Sequence, residues 1–335
     1  MSAKYSRIIS TGSALPAARI TNEDLARRLA ADGIETSDEW IRTRTGIEAR
    51  RFVNGTTETT TTLAAAAAQK ALEGGGVDPK TIDLIIVATT TPDQVFPSTA
   101  AAVQRLIGAA GCAAGCAAFD VQAVCAGFIY ALNAADAMLR AGPYQRALVI
   151  GAETMSRVID MKDRATCVLF GDGAGAVVLE ASAKPGILAA RMYADGSYDE
   201  NVLGLTARID HGELCGRPYI NMDGRQVFKL AVDGLTSSAQ EVAVLAGVDP
   251  QDVDVYIPHQ ANLRIMTMVA KKLGIPDERM IKTVSEQGNT SAASVPLALD
   301  EAVRSGKISD GNLVLLQAVG AGMAWGSAIV RWRSE

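Results

Sequence analysis

Two stretches of the chain are almost alike: Val77-Asp-Pro-Lys-Thr-Ile-Asp-Leu-Ile-Ile-Val-Ala88 and Val248-Asp-Pro-Gln-Asp-Val-Asp-Val-Tyr-Ile-Pro-His259. They lie 171 positions apart, five of their twelve positions are identical, and their apolar positions coincide. Each follows an Ala-rich helical run and passes into a β-branched run, so each predicts the same helix–turn–strand unit. The chain is therefore predicted to carry one fold written twice. Only the second copy ends in a histidine, one of two in the protein, which predicts a site between the halves.

Composition restricts the class of protein. The 335 residues are 48% hydrophobic and 21% charged, which is typical of a soluble globular protein with a generous core. A net charge of −5 provides no positive field for nucleic acid or an anionic membrane. No stretch has the length and apolarity of a membrane span, and the start lacks the layout of a signal peptide. The five cysteines, an odd number, indicate reduced thiols and hence a cytoplasmic protein.

Short apolar strands alternate with Ala-rich helices, which predicts an α/β fold with largely parallel strands. In the first copy we expect strand 6–11, helix 60–73, strand 82–88, helix 97–107, strand 117–122, helix 126–140 and strand 146–151. In the second copy we expect helix 231–246, strand 253–258, helix 261–273, strand 280–284, helix 293–304 and strand 313–318. Each copy closes with a glycine loop that leads into a strand, at 171–180 and at 320–331.

The join between the copies is predicted near residues 181–185. It divides the chain into an N-terminal half, 1–183, and a C-terminal half, 184–335. Residues 190–226, rich in Gly, Asp and Arg, are predicted to form an excursion of loops and short strands. The glycines at 171–175 have the wrong spacing for a dinucleotide fingerprint and lead into a strand rather than a helix.

Cys125 is the candidate nucleophile. It lies in Asp120-Val-Gln-Ala-Val-Cys-Ala-Gly-Phe128, where a buried strand turns into a helix that is apolar nearly all round. A thiol at a helix N-terminus meets unpaired backbone N–H groups and the positive end of the helix dipole, which stabilise its thiolate. Cysteines so placed can have pKa values lowered to roughly 3.5–7.5. A buried structural cysteine explains this segment alone equally well.

His259 and Asn289 are candidate partners. His259 ends a strand at the edge where open α/β sheets place their ligands, which favours function over a core histidine bonded to backbone. Asn289 opens the helix that corresponds to the one headed by Cys125, although alone it is explained by a turn with a helix cap. The two loops are expected to face each other across a pseudo-twofold axis. Corresponding positions in a duplicated fold favour one shared site.

Three motifs closely resemble those of β-ketoacyl-acyl carrier protein synthase III, an enzyme of the thiolase superfamily. They are residues 120–128 around Cys125, Pro258-His-Gln-Ala-Asn262, and Gly288-Asn-Thr-Ser-Ala-Ala-Ser-Val-Pro296. The resemblance covers the whole chain, including residues 36–46 and 325–331. It implies a thiolase-like αβαβα five-layered fold, a homodimer, and initiation of type II fatty acid synthesis. It also implies that no metal or redox cofactor is needed.

The same resemblance implies a mechanism. Cys125 attacks the thioester of a short acyl-CoA, such as acetyl-CoA, and holds the acyl group covalently. Malonyl-acyl carrier protein then enters, and His259 and Asn289 hydrogen-bond its thioester oxygen as CO2 is lost. The backbone N–H groups of Cys125 and Ala321 are implied to form the oxyanion hole.

The resemblance also implies which residues contact the substrates. CoA is implied to bind Trp40, Arg44, Arg164 and Asn262. Phe96 is implied to line the acyl pocket of the dimer partner, where its ring favours short primers. A basic patch for the acidic acyl carrier protein is implied at Lys229, Arg264, Lys271 and Lys272. Without the family, packing at a helix start explains Trp40, and an ordinary solvated face explains the basic residues.

Related enzymes differ from this chain in their histidines, their cysteines or their length. Elongating synthases use two histidines with the cysteine, whereas the other histidine here, His211, lies in a polar loop. Thiolases need a second cysteine in the C-terminal glycine loop, and no cysteine follows Cys215. Plant-type polyketide synthases are longer and have a different terminal loop. Cys112 and Cys116 are interpreted as small-residue packing rather than as a metal site or disulfide, because no second pair exists.

The chain departs from the usual family pattern in four places. Extra residues occur near 31–34 and 111–117, and Ala165 and Ala321 stand where Gly is common. The loop changes leave the preferred primer open. The alternatives are a related synthase that primes a secondary-metabolite pathway with another acyl-CoA, a Cys–His thioester hydrolase, and a non-catalytic binding module on the same fold.

Overall fold

The computed structural model describes residues 5–109 and 115–332. The strands are β1 Tyr5–Ala14, β2 Ala18–Thr21, β3 Ala49–Phe52, β4 Leu84–Ala88, β5 Ala117–Val121, β6 Arg146–Thr154, β7 Asp172–Ser182, β8 Ile187–Ala194, β9 Leu203–Gly204, β10 Arg208–Asp210, β11 Glu213–Cys215, β12 Asn221–Met222, β13 Val255–Pro258, β14 Leu313–Gly320 and β15 Ala324–Arg331. The α-helices are α1 Asn22–Ala30, α2 Asp38–Thr45, α3 Thr60–Gly75, α4 Thr99–Leu106, α5 Gly127–Ala141, α6 Arg164–Cys167, α7 Gly224–Ala246, α8 Leu263–Leu273, α9 Val284–Gln287 and α10 Ser294–Arg304.

Two large sheets organise these elements. The first has five strands in the order β1-β7-β6-β4-β5, and the second has four in the order β13-β14-β15-β8. In the first sheet β4 and β6 are parallel, while β7 runs antiparallel to both β6 and β1. In the second sheet β13 and β14 are parallel, while β15 runs antiparallel to both β14 and β8. The second sheet therefore repeats the order and relative directions of four strands of the first.

Successive side chains of a strand point to opposite faces of its sheet, so the two sheets separate three apolar cores. In β4, Leu84 and Ile86 face the core between the sheets, whereas Ile85 and Val87 face the outer core. The central core also takes residues of α5 and α10, and the two outer cores take residues of α3 and α4 and of α7 and α8. The layers therefore follow the order α–β–α–β–α, as predicted. Because sheets cover them on two sides, the central helices are apolar over most of their surface.

Most of the predicted elements are present, but two expectations are wrong. At 280–284 only Met280 forms a bridge, to Tyr256, and a short helix begins at Val284. The glycines at 171–176 do not form a loop, because β7 already starts at Asp172. Packing explains these glycines: a Cβ on Gly175 would lie 2.6 Å from the backbone N of Leu297 in α10.

The predicted excursion also begins later than expected. Residues 190–194 belong to β8, an edge strand that pairs with β15 in the second sheet. The short strands that follow form two small two-stranded ribbons, β12-β9 and β10-β11. Strand β7 ends at Ser182 in the first sheet and β8 begins at Ile187 in the second, and the division at 183/184 stays a prediction. Within residues 5–109 and 115–332, no helix has the length and apolar content needed to cross a membrane.

Candidate active site

Cys125 lies in a tight 3-10 turn, Val124–Ala126, between β5 and α5. Val124 has a φ of 47°, a conformation that is rare for a β-branched residue. The end of β14 packs directly on this turn, since a Cβ on Gly320 would lie 2.7 Å from the backbone N of Cys125. Only glycine permits so close an approach, and through it the second sheet reaches the cysteine.

A second turn of the same kind precedes α10. It covers Ser291–Ala293, and its first residue has a φ of 49°. The two turns lie against each other, because a Cβ on Gly127 would be 3.5 Å from the Cβ of Ala292. The expectation that these two loops face each other is confirmed.

Asn289 is held by its backbone and by its side chain. Its N–H donates to the carbonyl of Leu169 at 2.8 Å, and its own carbonyl accepts from the N–H of Gly171 at 2.9 Å. Its Oδ1 accepts from the backbone N–H of Ser291 at 2.9 Å. With the oxygen engaged in this way, the Nδ2 group is the donor that remains for a ligand.

His259 directly follows β13 and is almost completely buried, with 2% of its surface exposed. Its N–H donates to the carbonyl of Gln317 in β14 at 2.7 Å, and its Nδ1 lies 2.6 Å from the Oγ of Ser294. Burial lowers the pKa of His259 to about 3, because the charged ring would lose its hydration. The imidazole is therefore neutral at physiological pH.

Asn289 belongs to a short segment, residues 289–294, that also lies against His259 and against the start of α5 beside the Cys125 turn. A Cβ on Gly127, which follows the Cys125 turn, would lie 3.5 Å from the Cβ of Ala292, and the Ser291 hydroxyl lowers the pKa of the Cys125 thiol. Asn289 is bonded to the backbone of Ser291, and His259 to the side chain of Ser294. The fold thus brings sulfur, imidazole and carboxamide to a common edge of the two sheets, where joint chemistry is possible.

The charge state of Cys125 differs from the sequence-based expectation. Burial raises the pKa of the Cys125 thiol to about 12, and the negative charge of Glu153 adds to this effect. Hydrogen bonds from the Ser291 hydroxyl and the cysteine's own backbone N–H lower the pKa but do not offset burial. The expectation of a lowered pKa is therefore wrong for the free protein, whose cysteine is a neutral thiol.

Glu153, at the end of β6, is a buried acid that the sequence analysis missed. Its carboxyl accepts hydrogen bonds from Thr90 and Thr91, through both backbone and hydroxyl groups, and from the Ser291 hydroxyl at 3.0 Å. Burial raises the pKa of Glu153, and the threonine and serine donors oppose this. It ends a strand of the first sheet near Cys125, so the strand-end argument that identified His259 would have found it.

The implied oxyanion hole fits the backbone around Ala321. This residue directly follows Gly320, whose backbone touches the amide of Cys125. Ala321 is half-buried and has no positive φ, so its Cβ is accommodated without strain. Its N–H remains a candidate second donor beside that of Cys125.

Two guanidinium groups contact the Trp40 ring. The Cζ of Arg44 is 4.7 Å and that of Arg164 is 4.6 Å from the centre of the Trp40 ring. Arg164 also donates to the carbonyl of Glu35 at 2.7 Å. The structure thus brings together three of the four residues implied to bind CoA, in a partly exposed stack.

Asn262 has a structural task that its sequence position did not reveal. It caps α8, because its Oδ1 accepts from the N–H of Ile265 at 3.0 Å. The start of α8 packs against the end of α2, since a Cβ on Gly46 would lie 2.6 Å from the Cβ of Leu263. This packing places Asn262 on the same side of the molecule as the Trp40 stack.

The remaining candidate residues lie on the surface. Phe96 is 82% exposed, beside Val95 at 74%. Lys229, Arg264, Lys271 and Lys272 are all exposed on the packed helices α7 and α8. Two of them have local partners: the Cζ of Arg264 lies 5.9 Å from the centre of the Phe228 ring, and Lys272 pairs with Asp233 at 3.4 Å.

The other noted residues lie outside the site or outside the described chain. The side chain of His211 is 99% exposed in the hairpin between β10 and β11. Cys112 falls outside the described residues, and Cys116 is half-buried. Where the structure describes the chain, no group of three or more His, Cys, Asp or Glu side chains is arranged to hold a metal ion.

Comparison with known proteins gives consistent matches. The family model described as 3-Oxoacyl-[acyl-carrier-protein (ACP)] synthase III matches residues 119–196, and the model for its C terminal matches residues 244–332. The solved 3-oxoacyl-[acyl-carrier-protein] synthase III of Aquifex aeolicus VF5 is 47% identical, with a TM-score of 0.89 over 98% of this chain and 100% of that one. The enzyme of the same name from Pseudomonas aeruginosa PAO1 is 37% identical, with a TM-score of 0.89 over 98% and 99%. The priming β-ketosynthase of the R1128 polyketide biosynthetic pathway is 36% identical, with a TM-score of 0.90 over 98% and 96%.

Proposed function

Because the chain belongs to the 3-oxoacyl-[acyl-carrier-protein] synthase III family of the thiolase superfamily, we propose that it condenses a short acyl-CoA with malonyl-acyl carrier protein. The reaction is a decarboxylating Claisen condensation that starts type II fatty acid synthesis. The observation that carries the proposal is that residues 289–294, which include Asn289, lie against both His259 and the start of α5 beside the Cys125 turn.

In the first half-reaction Cys125 takes the acyl group. Its sulfur attacks the carbonyl carbon of the acyl-CoA, the C–S bond to CoA breaks, and the thiol proton leaves with CoA as its free thiol. The N–H groups of Cys125 and Ala321 would stabilise the tetrahedral oxyanion. Because burial keeps the Cys125 thiol neutral in the free protein, the thiol loses its proton only once the acyl-CoA is bound.

In the second half-reaction malonyl-acyl carrier protein loses CO2, and the resulting enolate attacks the acyl-Cys125 carbonyl. The product is a 3-oxoacyl-acyl carrier protein, and the released Cys125 thiolate takes up a proton. A neutral His259 and the Nδ2 group of Asn289 would both donate to the thioester oxygen as the enolate forms. A neutral imidazole suits this task, because it keeps an N–H without placing a full charge in a buried site.

The Trp40 stack supports CoA binding. An aromatic ring in contact with two guanidinium groups is suited to an adenine and its phosphates, which offer a π-face and negative charge. Arg164 rests on the ring here, so the proposal requires its guanidinium to move when the base stacks on Trp40. Asn262 would contribute through its Nδ2 group, since Oδ1 caps α8.

Two exposed features support a homodimer. Strand β5 pairs with β4 along one side, and its residues are all half-buried although they include Phe119 and Val121. The apolar Val95 and Phe96 protrude from a nearby loop and are exposed in the single chain. An edge strand and protruding apolar side chains are what a second copy would cover, and Phe96 would then reach the acyl pocket of its partner.

The basic residues on α7 and α8 support docking of an acidic carrier protein. Arg264 and Lys271 lie two turns apart on α8, with Met268, which is 40% exposed, between them. Lys272 contributes less, because Asp233 neutralises it. Among the ion pairs of the described residues, Arg264 and Lys271 on α8 and Lys229 on α7 have no acidic partner.

Mass spectrometry of Cys125 with a panel of acyl-CoA primers tests the proposal. We expect acetyl transfer to Cys125, followed by CO2 release and 3-oxoacyl product when malonyl-acyl carrier protein is added. Hydrolysis without CO2 would show a thioesterase instead. The similarity to the R1128 priming enzyme keeps a pathway-specific priming synthase as the second candidate. Loading of a longer or branched acyl group but not acetyl would favour it. The absence of a metal or redox cofactor and the cytoplasmic location stay predictions.

A further inference from the structure

The tautomer of His259 is set by what faces its Nδ1. A neutral imidazole has one nitrogen that donates a hydrogen bond and one that accepts. In His259 the Nδ1 atom lies 2.6 Å from the Oγ of Ser294, the first residue of α10. Both side chains are buried, at 2% and 0% exposure, so the serine hydroxyl rather than water is the partner of this nitrogen.

The surroundings of Ser294 allow its hydroxyl to act as the donor. The backbone N–H of Gln260 approaches the Ser294 Oγ at 3.4 Å, and an amide can only donate. The oxygen therefore accepts this bond through one lone pair, and its single hydrogen stays available for another atom. The Nδ1 of His259, at 2.6 Å, is within reach of this hydrogen.

The internal repeat shows that this contact belongs to one sheet only. His259 aligns with Ala88, and Ser294, which opens α10, corresponds to Gly127, which opens α5. In the first sheet this pair is closely packed without any polar group, since a Cβ on Gly127 would lie 3.1 Å from the Cβ of Ala88. Histidine and hydroxyl occur together in one copy, and alanine and glycine in the other.

We propose that Ser294 is a positioning residue whose hydroxyl donates to the Nδ1 of His259 and so keeps the ring hydrogen on Nε2. This inference deepens the proposed function, on which its catalytic consequence rests. Donation to the malonyl thioester oxygen requires a hydrogen on the nitrogen that faces the substrate. A ring protonated on Nδ1 instead would present a lone pair to that oxygen and would oppose the developing charge.

The tautomer can be read without any substrate, because the chain has only two histidines. In protein labelled with ¹⁵N-histidine, two-dimensional ¹H–¹⁵N spectra distinguish a ring protonated on Nε2 from one protonated on Nδ1. His211→Gln removes the signals of the exposed ring and assigns the rest to His259. We expect the Nε2–H form in the unmodified protein and loss of that preference in Ser294→Ala. An Nδ1–H form in the unmodified protein, or an unchanged tautomer in Ser294→Ala, would overturn the proposal.

The catalytic consequence is measured by separating the half-reactions. In Ser294→Ala we expect malonyl decarboxylation on acylated enzyme to slow on the order of 10- to 100-fold, while acetyl loading of Cys125 changes by less than about threefold. Ser294→Thr keeps a hydroxyl and should recover most of the decarboxylation rate. Ser238→Ala removes another buried hydroxyl, bonded to Ser327 at 2.7 Å in the outer core, and serves as the matched control.

The outcomes separate the two proposals. If the unmodified enzyme does not condense at all, the proposed function fails, and the NMR experiment still decides the role of Ser294. If loading and decarboxylation fall equally in Ser294→Ala, or if Ser238→Ala causes the same loss, then Ser294 is structural and the inference is wrong.

Discussion

At the scale of single residues, the central feature is a nucleophile held in its neutral form. Cys125 is 5% exposed and lies near the carboxyl of Glu153, which is itself buried. Two hydrogen bonds act in the opposite direction and are outweighed. The thiol is thus protected from reagents that require a thiolate until a substrate occupies the site.

Alkylation of Cys125 tests this charge state. With a pKa raised to about 12, the thiolate fraction grows tenfold for each pH unit across the whole neutral and mildly alkaline range. We therefore expect the rate of Cys125 modification by iodoacetamide, followed by peptide mass spectrometry, to rise steadily from pH 6 to about pH 10. The half-exposed Cys215 provides an internal comparison. A plateau of the Cys125 rate near neutral pH would contradict the neutral thiol.

Substitutions of the two reacting side chains should separate the half-reactions. Cys125→Ala removes the nucleophile and should abolish acyl transfer. His259→Ala removes one of two donors to the enolate oxygen and should slow malonyl decarboxylation on the order of 10²- to 10³-fold, with a much smaller effect on acyl loading. Stopped-flow CO2 release and intact-protein mass spectrometry measure the two steps. Equal loss of both in His259→Ala would contradict the role given to the histidine.

Sequence reasoning found residues whose chemical type is unusual for their place. Cys125, His259 and Asn289 interrupt apolar or small-residue patterns at the ends of strands or the starts of helices. Ser291 and Ser294 were missed, because a serine near a helix start is normally explained as a cap. The pKa of Cys125 was predicted in the wrong direction, since sequence shows the helix that follows the cysteine but not the groups that bury it.

At the scale of elements, glycines fix the distances between layers. Gly320 in β14 brings its backbone against the turn of Cys125, and Gly175 in β7 does the same for α10. In the sequence these glycines predicted loops, because glycine destabilises a strand unless another element packs closely on it. The strand expected at 280–284 does not form a continuous ladder: Met280 and Val284 pack in the core of α7 and α8, and Ile281 packs in the central core.

Gly320→Ala tests the contact between β14 and the cysteine turn. The added Cβ would lie 2.7 Å from the N of Cys125 and 2.9 Å from the carbonyl of Ala123, so backbone must shift. We expect a loss of about 1–3 kcal/mol in the free energy of unfolding and slower acyl loading. Gly74→Ala, in α3, is the control, because its Cβ would meet nothing closer than 3.6 Å. Urea denaturation of both variants measures the difference, and equal stability would contradict the argument.

At the scale of the whole molecule, the proposed homodimer would cover the edge strand β5 and the exposed Phe96. We expect sedimentation to show a dimer at micromolar concentration. Phe96→Ala should keep the dimer but extend the accepted primers from acetyl to longer acyl groups, as the primer panel would show. A monomer in solution, or an unchanged primer range, would count against the contribution of Phe96 to its partner's pocket.

The carrier-protein surface makes a prediction about salt. If charge guides docking, the KM for malonyl-acyl carrier protein should rise with ionic strength. The KM for acyl-CoA depends on residues outside this surface. Lys271→Glu should raise the carrier-protein KM about two- to tenfold without changing acyl loading. Lys80→Glu, on an exposed turn of the first sheet, is the control. The same increase in both variants would show a general charge effect rather than a docking site.

The positive φ of Val124 bears on any attempt to raise the thermal stability of this protein. Forcing a β-branched residue into that region costs on the order of 1–3 kcal/mol, so Val124→Gly would be an obvious thermostabilising substitution. Yet a valine allows its backbone fewer conformations than a glycine would, and so helps to fix the turn that holds Cys125. The Val124→Gly protein would be more stable, but the backbone N–H of Cys125 would no longer be held in a fixed orientation. We therefore expect its turnover to be slower.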